Sequence, residues 1–404
     1  MPLGIYISVP FCRSKCSYCN FSSGVFSKAL FGRYVDRLCA DIEGAVEIAA
    51  GMGGVLEAEV DSIYLGGGTP TLLGGEQLER IFQSLRNSFR VWAGAEVTVE
   101  CAPGTLKSAT LETLVDCGVN RVSLGVQSFV DEEAASVARL HNRQTVLGDI
   151  KQLRAAGIDN INIDLIAGLP HQTESTWEES LQQAIDSGVP HVSVYMLEVD
   201  EDSRLGRELI AGGTRYHAHF VPDEDLTADL YLHAGERLEA AGISQYEISN
   251  LARPGYASRH NLKYWTRQPY IGFGVDAHSM LPAPIGSELE SVRFSTPDSL
   301  EQYSWGAALS RTPVSWSSAL EEAFFLGLRL TAGIDLAELA ERYGTGATSV
   351  FREEIAELCS ENLLELIDGR LRLTPRGRLL SNEVFARFLR TEADSPSGRS
   401  FTLL

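Results

Sequence analysis

The 404-residue chain has little positive charge. Its 34 Lys and Arg stand against 54 Asp and Glu, which gives a formal net charge of −20. Nucleic acids and anionic membrane surfaces attract basic proteins, so this balance argues against a general binder of either. No apolar run approaches the roughly 20 residues that span a bilayer. The start, "MPLGIYISVPF", lacks the basic stretch of a secretory signal peptide. We therefore expect a cytoplasmic protein with no nucleic-acid partner and at most peripheral membrane contact through a partner.

Cysteine is scarce, with seven residues in the chain. Four are scattered and are expected to be buried as small apolar residues: Cys39, Cys101, Cys117 and Cys359. The other three are Cys12, Cys16 and Cys19 of "CRSKCSYC". In a reducing compartment such a group indicates a metal site rather than disulfides. Three cysteines leave two interpretations open: zinc completed by a distant side chain, or an iron–sulfur cluster with one iron that lacks a protein ligand.

Six short β-rich runs recur along the chain, each followed by a helical pattern. They are "GIYISVP", "SIYLGGG", "EVTVECAP", "RVSLGVQS", "NINIDLIAG" and "HVSVYMLEV". This alternation predicts parallel strands joined by right-handed crossovers. Polar candidates fall at or just past the carboxyl end of each run: Cys12, Gly67–Thr69, Glu100, Gln127, Asp164 and Glu198. In a β/α barrel the carboxyl ends of all the strands converge on one mouth, whereas a doubly wound sheet gathers its polar residues at the crevice between two strands. Candidates at six successive strand ends therefore predict an α/β fold with a partial (β/α)6 barrel of the TIM type.

The pattern changes towards the carboxyl terminus. A long helix is expected over about 223–241, and from about residue 315 helices dominate, up to a hairpin in "ENLLELIDGRLRLTP" that turns at Asp368-Gly369. This layout predicts a winged-helix-like domain, and because it is not notably basic, a structural or docking role is favoured over DNA binding. The predicted domains are a barrel (1–240), a linking segment (241–300), a mainly helical domain (301–390) and a disordered tail (391–404).

The cysteine spacing C-x3-C-x2-C at the end of the first strand, with Tyr18 before the last cysteine, resembles the signature of the radical S-adenosylmethionine (SAM) superfamily. "GGGTP", which starts at Gly66, resembles the glycine-rich segment with which that superfamily binds the SAM amino group. The resemblance implies a 4Fe-4S cluster on Cys12, Cys16 and Cys19, with SAM on the iron that has no protein ligand.

Further motifs resemble those of oxygen-independent coproporphyrinogen III oxidases and their relatives, in the same order along about residues 4 to 280. They are "GGGTPTLL", "LGVQSF", "NIDLIAGLPHQT" and "QYEISNLARPGYASRHNLKYW". Carboxylates can accept from the SAM ribose and amino group, and an arginine can face its carboxylate. The resemblance implies these SAM contacts: Tyr6, Gly67, Gly68, Thr69, Glu100, Gln127, Arg139 and Asp164.

Two functions share this family. One is the oxidase, in which a radical made from SAM decarboxylates a porphyrinogen; the other is a haem chaperone of the HemW type, which hands haem to a recipient protein and needs an electron donor. The oxidase pattern continues to a fourth cysteine, where this chain has Phe21. "HNLKYW", from His260, resembles the H-N-x-x-Y-W motif of the chaperones. The resemblance thus favours a chaperone, with His260 as the candidate haem ligand; alternatively, His260 and Asn261 order a loop near the barrel mouth.

Two other positions carry weaker expectations. Asp276 stands where the family usually has glycine, and the sequence offers no reason for it. The run "RYHAHF" over 215–220 contains two histidines, for which a solvated loop is favoured over a metal role.

Overall fold

The computed structural model describes residues 1–201 and 203–390. The predicted disordered tail, 391–404, lies outside the described residues. The chain folds as two compact units, the first of residues 1–315 and the second beginning at Trp316. The division lies after residue 315 rather than after 300, and the segment 241–300, expected to be a link, is part of the first unit.

The first unit begins with alternating strands and helices. Its first six strands lie side by side in chain order, and each pair is parallel. The elements are β1 (Leu3–Val9), α1 (Ala29–Glu43), α2 (Ala45–Met52), β2 (Glu59–Gly67), α3 (Gly75–Ser88), β3 (Arg90–Cys101), α4 (Ser108–Asp116), β4 (Arg121–Gln127), α5 (Asp131–Ser136), α6 (Arg143–Ala155), β5 (Asn160–Ala167), α7 (Glu174–Asp186) and β6 (His191–Met196). The six predicted strands and their parallel order are confirmed.

The rest of this unit extends the sheet on both sides. It contains α8 (Arg204–Ala211), α9 (Glu224–Ala240), β7 (Ser244–Gln245), β8 (Asn250–Ala252), α10 (Arg259–Trp265), β9 (Tyr270–Gly274), β10 (His278–Pro282), β11 (Leu289–Ser295), α11 (Leu300–Trp305) and β12 (Ser310–Ser315). The order β12-β11-β10-β9-β1-β2-β3-β4-β5-β6-β8-β7 has two free ends, so the sheet is open. The α/β fold with a partial (β/α)6 barrel is thereby confirmed, and β9, parallel to β1, is an added neighbour that the sequence did not predict.

Side chains at the helix starts explain where the helices begin. Asn142 accepts from the backbone N–H of Thr145 at the start of α6, and Asp223 does the same for Leu226 at the start of α9. Each satisfies an N–H that has no partner inside the helix. The long helix expected over 223–241 is therefore α9, with Asp223 as its cap.

The second unit combines helices with a small sheet. Its elements are α12 (Trp316–Gly327), β13 (Ile334–Asp335), α13 (Leu336–Tyr343), α14 (Arg352–Ser360), β14 (Leu364–Ile367), β15 (Arg370–Leu373), α15 (Pro375–Leu379) and α16 (Ser381–Ala386). The sheet order is β13-β15-β14, and the hairpin turns through Asp368 (φ 51°) and Gly369 (φ 79°). Two consecutive positive φ angles match the two-residue hairpin turn that fits the twist of a sheet. The winged-helix-like arrangement and its predicted turn are confirmed.

Candidate functional site

The three clustered cysteines occupy a loop that follows β1. Cys12 donates its backbone N–H to Gly24 O at 2.8 Å, and Gly24 N–H donates to Pro10 O at 2.9 Å, which closes the loop on itself. The Cys16 side chain is buried, and those of Cys12 and Cys19 are half-buried. Burial raises the pKa of the Cys12 and Cys19 thiols. Within the described residues, no three His, Cys, Asp or Glu side chains are grouped so as to hold a single metal ion.

Arg139 brings a positive charge to this loop. Its Nη1 donates to the sulfur of Cys16 at 3.3 Å, and its Nη2 donates to the carbonyl of Gly125 in β4. Cysteine thiolates are the metal ligands, and the guanidinium can balance part of the negative charge of a group that they hold. The donor set of three thiols with a neighbouring cation therefore fits a thiolate-held cluster.

The glycine segment at the end of β2 lies directly against the cysteine loop. Gly68 N–H donates to Val9 O at 2.8 Å, and Thr69 N–H donates to Phe11 O at 2.7 Å. A Cβ on Gly68 would come within 2.7 Å of Val9 O, and Gly67 has φ 94°. Glycine at position 68 permits the close approach, and glycine at position 67 adopts the positive φ, in each case without displacing a neighbour. The segment therefore forms a backbone cradle that lies against the cysteine loop.

Glu100 faces the glycine segment from β3. Its Oε2 accepts from Gly67 N–H at 3.1 Å and its Oε1 from the hydroxyl of Tyr64 at 3.0 Å. Burial, and next the negative charge of Asp164, raises the pKa of this carboxyl to about 7. An amino group bound here would compensate that charge.

Gln127 and Asp164 lie on the neighbouring strands β4 and β5. Gln127 ends β4 with φ 69°, a backbone conformation rare for a non-glycine residue and common at functional sites. Asp164 lies in the middle of β5, which corrects its predicted place at the strand end. Its carboxylate accepts from Asn162 Nδ2 at 2.7 Å and from Ser123 Oγ at 3.2 Å, and burial raises its pKa.

The sequence did not single out the polar network beneath Asp164. Asn162 also donates to Ser193 Oγ at 3.0 Å, and its Oδ1 lies 2.6 Å from His191 Nδ1. The sequence does contain a signal for this network. Asn162 and Asp164 alternate with isoleucines, so the two polar side chains share one face of β5. Such a network fixes the buried carboxylate in one orientation.

Tyr6 and His260 lie deeper in the barrel than the cysteines. Tyr6 belongs to β1, and its hydroxyl is 3.5 Å from where a Cβ on Gly67 would be. Its ring centroid is 6.4 Å from that of His260. The hydroxyl of Tyr6 therefore approaches the glycine segment, and its ring lies beside that of His260.

His260 does not lie at the barrel mouth. Its Nδ1 is 3.1 Å from Ser62 Oγ in the amino-terminal half of β2, and its Nε2 is 2.8 Å from Tyr264 Oη. The side chain is buried, and burial lowers its pKa to about 3. A neutral imidazole with both nitrogens engaged matches the alternative in which His260 orders its segment; the expected place near the mouth is corrected.

Lys263 explains why the "HNLKYW" segment occupies the amino-terminal end of the barrel. Its Nζ donates to Pro2 O at 2.9 Å and forms a buried ion pair with Asp61 at 2.7 Å. Both partners precede or begin strands, so α10 closes the barrel end opposite the cysteine loop.

Phe21 and Asp276 border the cysteine loop from outside. Phe21 is 54% exposed, and Ser22 Oγ donates to Asp276 Oδ2 at 2.8 Å. Asp276 has φ 56°, a left-handed conformation that explains why glycine is usual at this position. Aspartate tolerates this conformation better than most other residues do. The aspartate thus adds a side-chain bond to the loop that glycine cannot make.

A cavity of about 820 Å³ opens beside Cys12. Its lining includes Arg13, Lys28 and Lys107 and no Asp or Glu among the described residues.

None of the helices in residues 1–201 and 203–390 has the length and apolarity that a bilayer span requires.

Comparisons with known proteins identify the family and the fold of this chain. The model of the Radical SAM superfamily matches residues 6–184, and that of the HemN C-terminal domain matches residues 317–380. A solved structure of coproporphyrinogen III oxidase (HemN) from Escherichia coli, a radical SAM enzyme, aligns with a TM-score of 0.81 at 23% identity, covering 96% of this chain and 90% of that one. At this identity the likeness shows the fold, and the class is that of radical SAM proteins.

The curated relatives narrow the class. The heme chaperone HemW of Bacillus subtilis is 33% identical over 386 residues, covering 95% of this chain and 98% of that protein. The heme chaperone HemW of Escherichia coli K12 is 32% identical over 390 residues, covering 96% and 98%. This chain belongs to the HemW family of the radical SAM superfamily.

Proposed function

We propose that the protein is a haem chaperone that binds a 4Fe-4S cluster, SAM and haem and delivers haem to recipient proteins. The observation that carries this proposal is the similarity to heme chaperones HemW along almost the whole chain. Phe21 supports it, because it stands where the oxidases carry a fourth cysteine and has no group that ligates metal.

The cysteine loop and the glycine segment are the proposed cofactor site. Cys12, Cys16 and Cys19 would hold the cluster, which when bound offers an open iron for SAM and one electron. Arg139 contributes positive charge, and Glu100 accepts from the amino group of SAM. The proposed SAM contacts remain Tyr6, Gly67, Gly68, Thr69, Glu100, Gln127, Arg139 and Asp164.

The predicted role of His260 as haem ligand stays a prediction. Coordination to iron would require the imidazole to give up its hydrogen bond to Ser62 or to Tyr264. The role therefore depends on a rearrangement of the α10 segment when haem binds.

The setting of the function follows from the same proposal. We place the chaperone in the cytoplasm, with haem as cargo, a haem-recipient protein and an electron donor as partners, no nucleic acid, and membrane contact only through a partner. The net charge of −20 supports this by disfavouring direct attraction to anionic lipid headgroups.

The decisive experiment is anaerobic reconstitution of the cluster in the full-length protein, followed by two assays on one sample. Haem titration followed by absorbance should show saturable binding with one haem per chain. Coproporphyrinogen decarboxylation, assayed with SAM and a reductant, should be absent. Robust decarboxylation without haem binding would instead establish the alternative, an oxygen-independent coproporphyrinogen III oxidase.

His260→Ala tests the role of that histidine in the same titration. Because His260 packs in the barrel interior, the variant should lower the denaturant midpoint. Loss of the haem spectrum from a folded His260→Ala protein would support His260 as the ligand, and an unchanged spectrum would remove it from that role.

A further inference from the structure

The cysteine loop contacts other parts of the barrel on one side and borders a cavity on the other. On the first side, Leu205 N–H of α8 donates to Ser17 O at 2.8 Å, and Arg139 donates to the sulfur of Cys16 at 3.3 Å. On the other side, Cys12 lines the cavity of about 820 Å³. The Cys12 side is therefore a route by which a large molecule can approach the proposed cluster from solvent.

Positive charge is concentrated around this cavity. The first 35 residues contain Arg13, Lys15, Lys28 and Arg33 and no Asp or Glu, in a chain of net charge −20. Arg13 and Lys28 line the cavity together with Lys107, and no carboxylate among the described residues does so. The cavity is thus a positively charged site in an acidic protein.

The cations that line the cavity are not used within the barrel. Arg13, Lys28 and Lys107 are exposed, and in the part of the chain that the structure describes their side chains form no ion pair and no hydrogen bond. Gly74 and Lys107 directly precede α3 and α4, so the amino-terminal ends of two helices add to the positive potential. This charge is available to a partner.

Exposed apolar side chains lie among these cations. Val25 and Phe26 line the same cavity and are 64% and 37% exposed. We call the surface formed by Arg13, Val25, Phe26, Lys28 and Lys107 the Cys12 face. Protein interfaces combine apolar contact with charges that complement the partner, so this composition suits an acidic protein with an apolar patch of its own.

The proposed cluster needs a reductant from outside the chain. A 4Fe-4S cluster can supply an electron to SAM only after it has received one. Electron transfer between proteins falls off steeply with distance, so the donor must bind close to the cluster. The Cys12 face meets this requirement, because it borders Cys12, which is itself a proposed cluster ligand.

We propose that the Cys12 face is the docking surface for a small acidic protein that carries one electron, an inference that rests on the cluster proposed above. Carboxylates of the carrier lie against Arg13, Lys28 and Lys107, and its redox centre lies towards Cys12. One electron passes from the reduced centre of the carrier to the cluster, which oxidises the carrier; no bond forms or breaks and no proton moves. Because two acidic proteins repel each other elsewhere, attraction confined to this face also fixes the orientation of the carrier.

The test uses the full-length, cluster-reconstituted protein and flavodoxin hydroquinone, an acidic flavoprotein that gives up one electron and becomes the semiquinone. Anaerobic stopped-flow absorbance of the semiquinone gives the rate constant of cluster reduction. The substitutions Lys28→Glu and Lys107→Glu together should lower this rate constant at least about tenfold at low ionic strength and remove most of its decrease with salt. The matched control combines Lys151→Glu and Arg352→Glu, which are exposed positions outside the face, and should stay within about twofold of wild type.

Two checks make the result specific to docking. Iron content and complete reduction by the small reductant dithionite should be the same in all variants, because none of the substituted residues is a proposed cluster ligand. Val25→Glu, a second variant of the face, should slow reduction by flavodoxin severalfold. It decides the result if the lysine variant assembles less cluster.

The outcomes separate this surface from the function proposed above. Wild-type rate and salt dependence in either face variant that assembles its full cluster overturn the docking surface. A wild-type cluster that dithionite reduces and flavodoxin does not overturns it as well. Haem titration of the same samples reports on the chaperone proposal: wild-type protein that accepts electrons at this face and binds no haem overturns the chaperone function and leaves the surface standing.

Discussion

Cys16 differs from the other two clustered cysteines in already having a cationic partner. Arg139 donates to its sulfur at 3.3 Å, whereas Cys19 has Ser23 as its side-chain neighbour at 4.0 Å. Cys16 is thus the clustered cysteine whose sulfur accepts a charge-assisted hydrogen bond.

We expect Cys16→Ser to abolish cluster assembly, because two thiolates do not hold a cubane whose fourth iron must stay open. After anaerobic reconstitution, iron and sulfide content should fall below about a tenth of wild type. Cys359→Ser, in the second unit, is the matched control and should retain full iron content. Wild-type iron in Cys16→Ser would remove the cysteine from the site.

The buried carboxyl of Glu100 gives SAM binding a pH dependence. Its pKa is about 7 in the ligand-free chain, and the ammonium of SAM favours the ionised form. SAM affinity should therefore rise as the pH increases from about 6 to about 8, with proton release on binding. Calorimetric titration in buffers of different ionisation enthalpy measures that proton. Glu100→Gln should bind SAM more weakly and without this dependence; a pH profile unchanged by the substitution would contradict the assignment.

The same carboxyl affects the stability of the ligand-free protein. Its folded pKa of about 7 exceeds the ordinary 4.5, so the folded state holds the proton more tightly than the unfolded state does. This tighter proton binding stabilises the folded state. The stabilisation is complete below the ordinary pKa and is lost as the pH rises through about 7. Glu100→Gln should raise the urea midpoint relative to wild type at pH 8 and not at pH 4.

At the level of elements, the barrel mouth depends on a close backbone contact between the cysteine loop and the end of β2. A Cβ on Gly68 would meet Val9 O at 2.7 Å and Phe11 O at 2.8 Å, both of them backbone atoms that cannot turn aside. We expect Gly68→Ala to separate the two segments, to cost about 1–3 kcal/mol of unfolding free energy and to prevent SAM binding.

Gly148 provides the matched control for that substitution. It lies in α6 with nothing within 4 Å of its Cβ position, so alanine fits there. Gly148→Ala should stabilise the protein by about 0.5–1 kcal/mol. Chemical denaturation measures both variants, and equal effects of the two would show that the close contact at Gly68 does not matter.

At the scale of the whole molecule, charge separates the second unit from DNA-binding winged helices. Residues 316–390 carry 9 Lys and Arg and 12 Asp and Glu, a net charge of 9 − 12 = −3 within a chain of −20. Phosphate contacts require an excess of cations, and their binding weakens as salt rises. We expect that addition of the protein will not raise the fluorescence anisotropy of labelled duplex DNA, whatever the salt concentration. A binding curve that weakens steeply with salt would contradict this.

Local patterns in the sequence predict much of the architecture. The six parallel strands, the long helix over about 223–241 and the turn at Asp368-Gly369 each follow from a few neighbouring residues. Strands β9–β12 were not predicted. Strands β9 and β10 are only five residues each, and β9 is buried throughout, so it lacks the alternation that marks a half-buried strand. The cysteine loop and the glycine segment were located because their spacing is itself the motif.

The sequence by itself determined the fold class, the position of the cysteine loop and the family resemblance, since each is written in short-range order along the chain. Only the tertiary structure decided which distant side chains meet. His260 reaches Ser62 across 198 positions and lies at the closed end of the barrel, and His171 meets His217 across 46 positions beside the cysteine loop. Such pairings depend on how strands register and loops return, which no local pattern encodes.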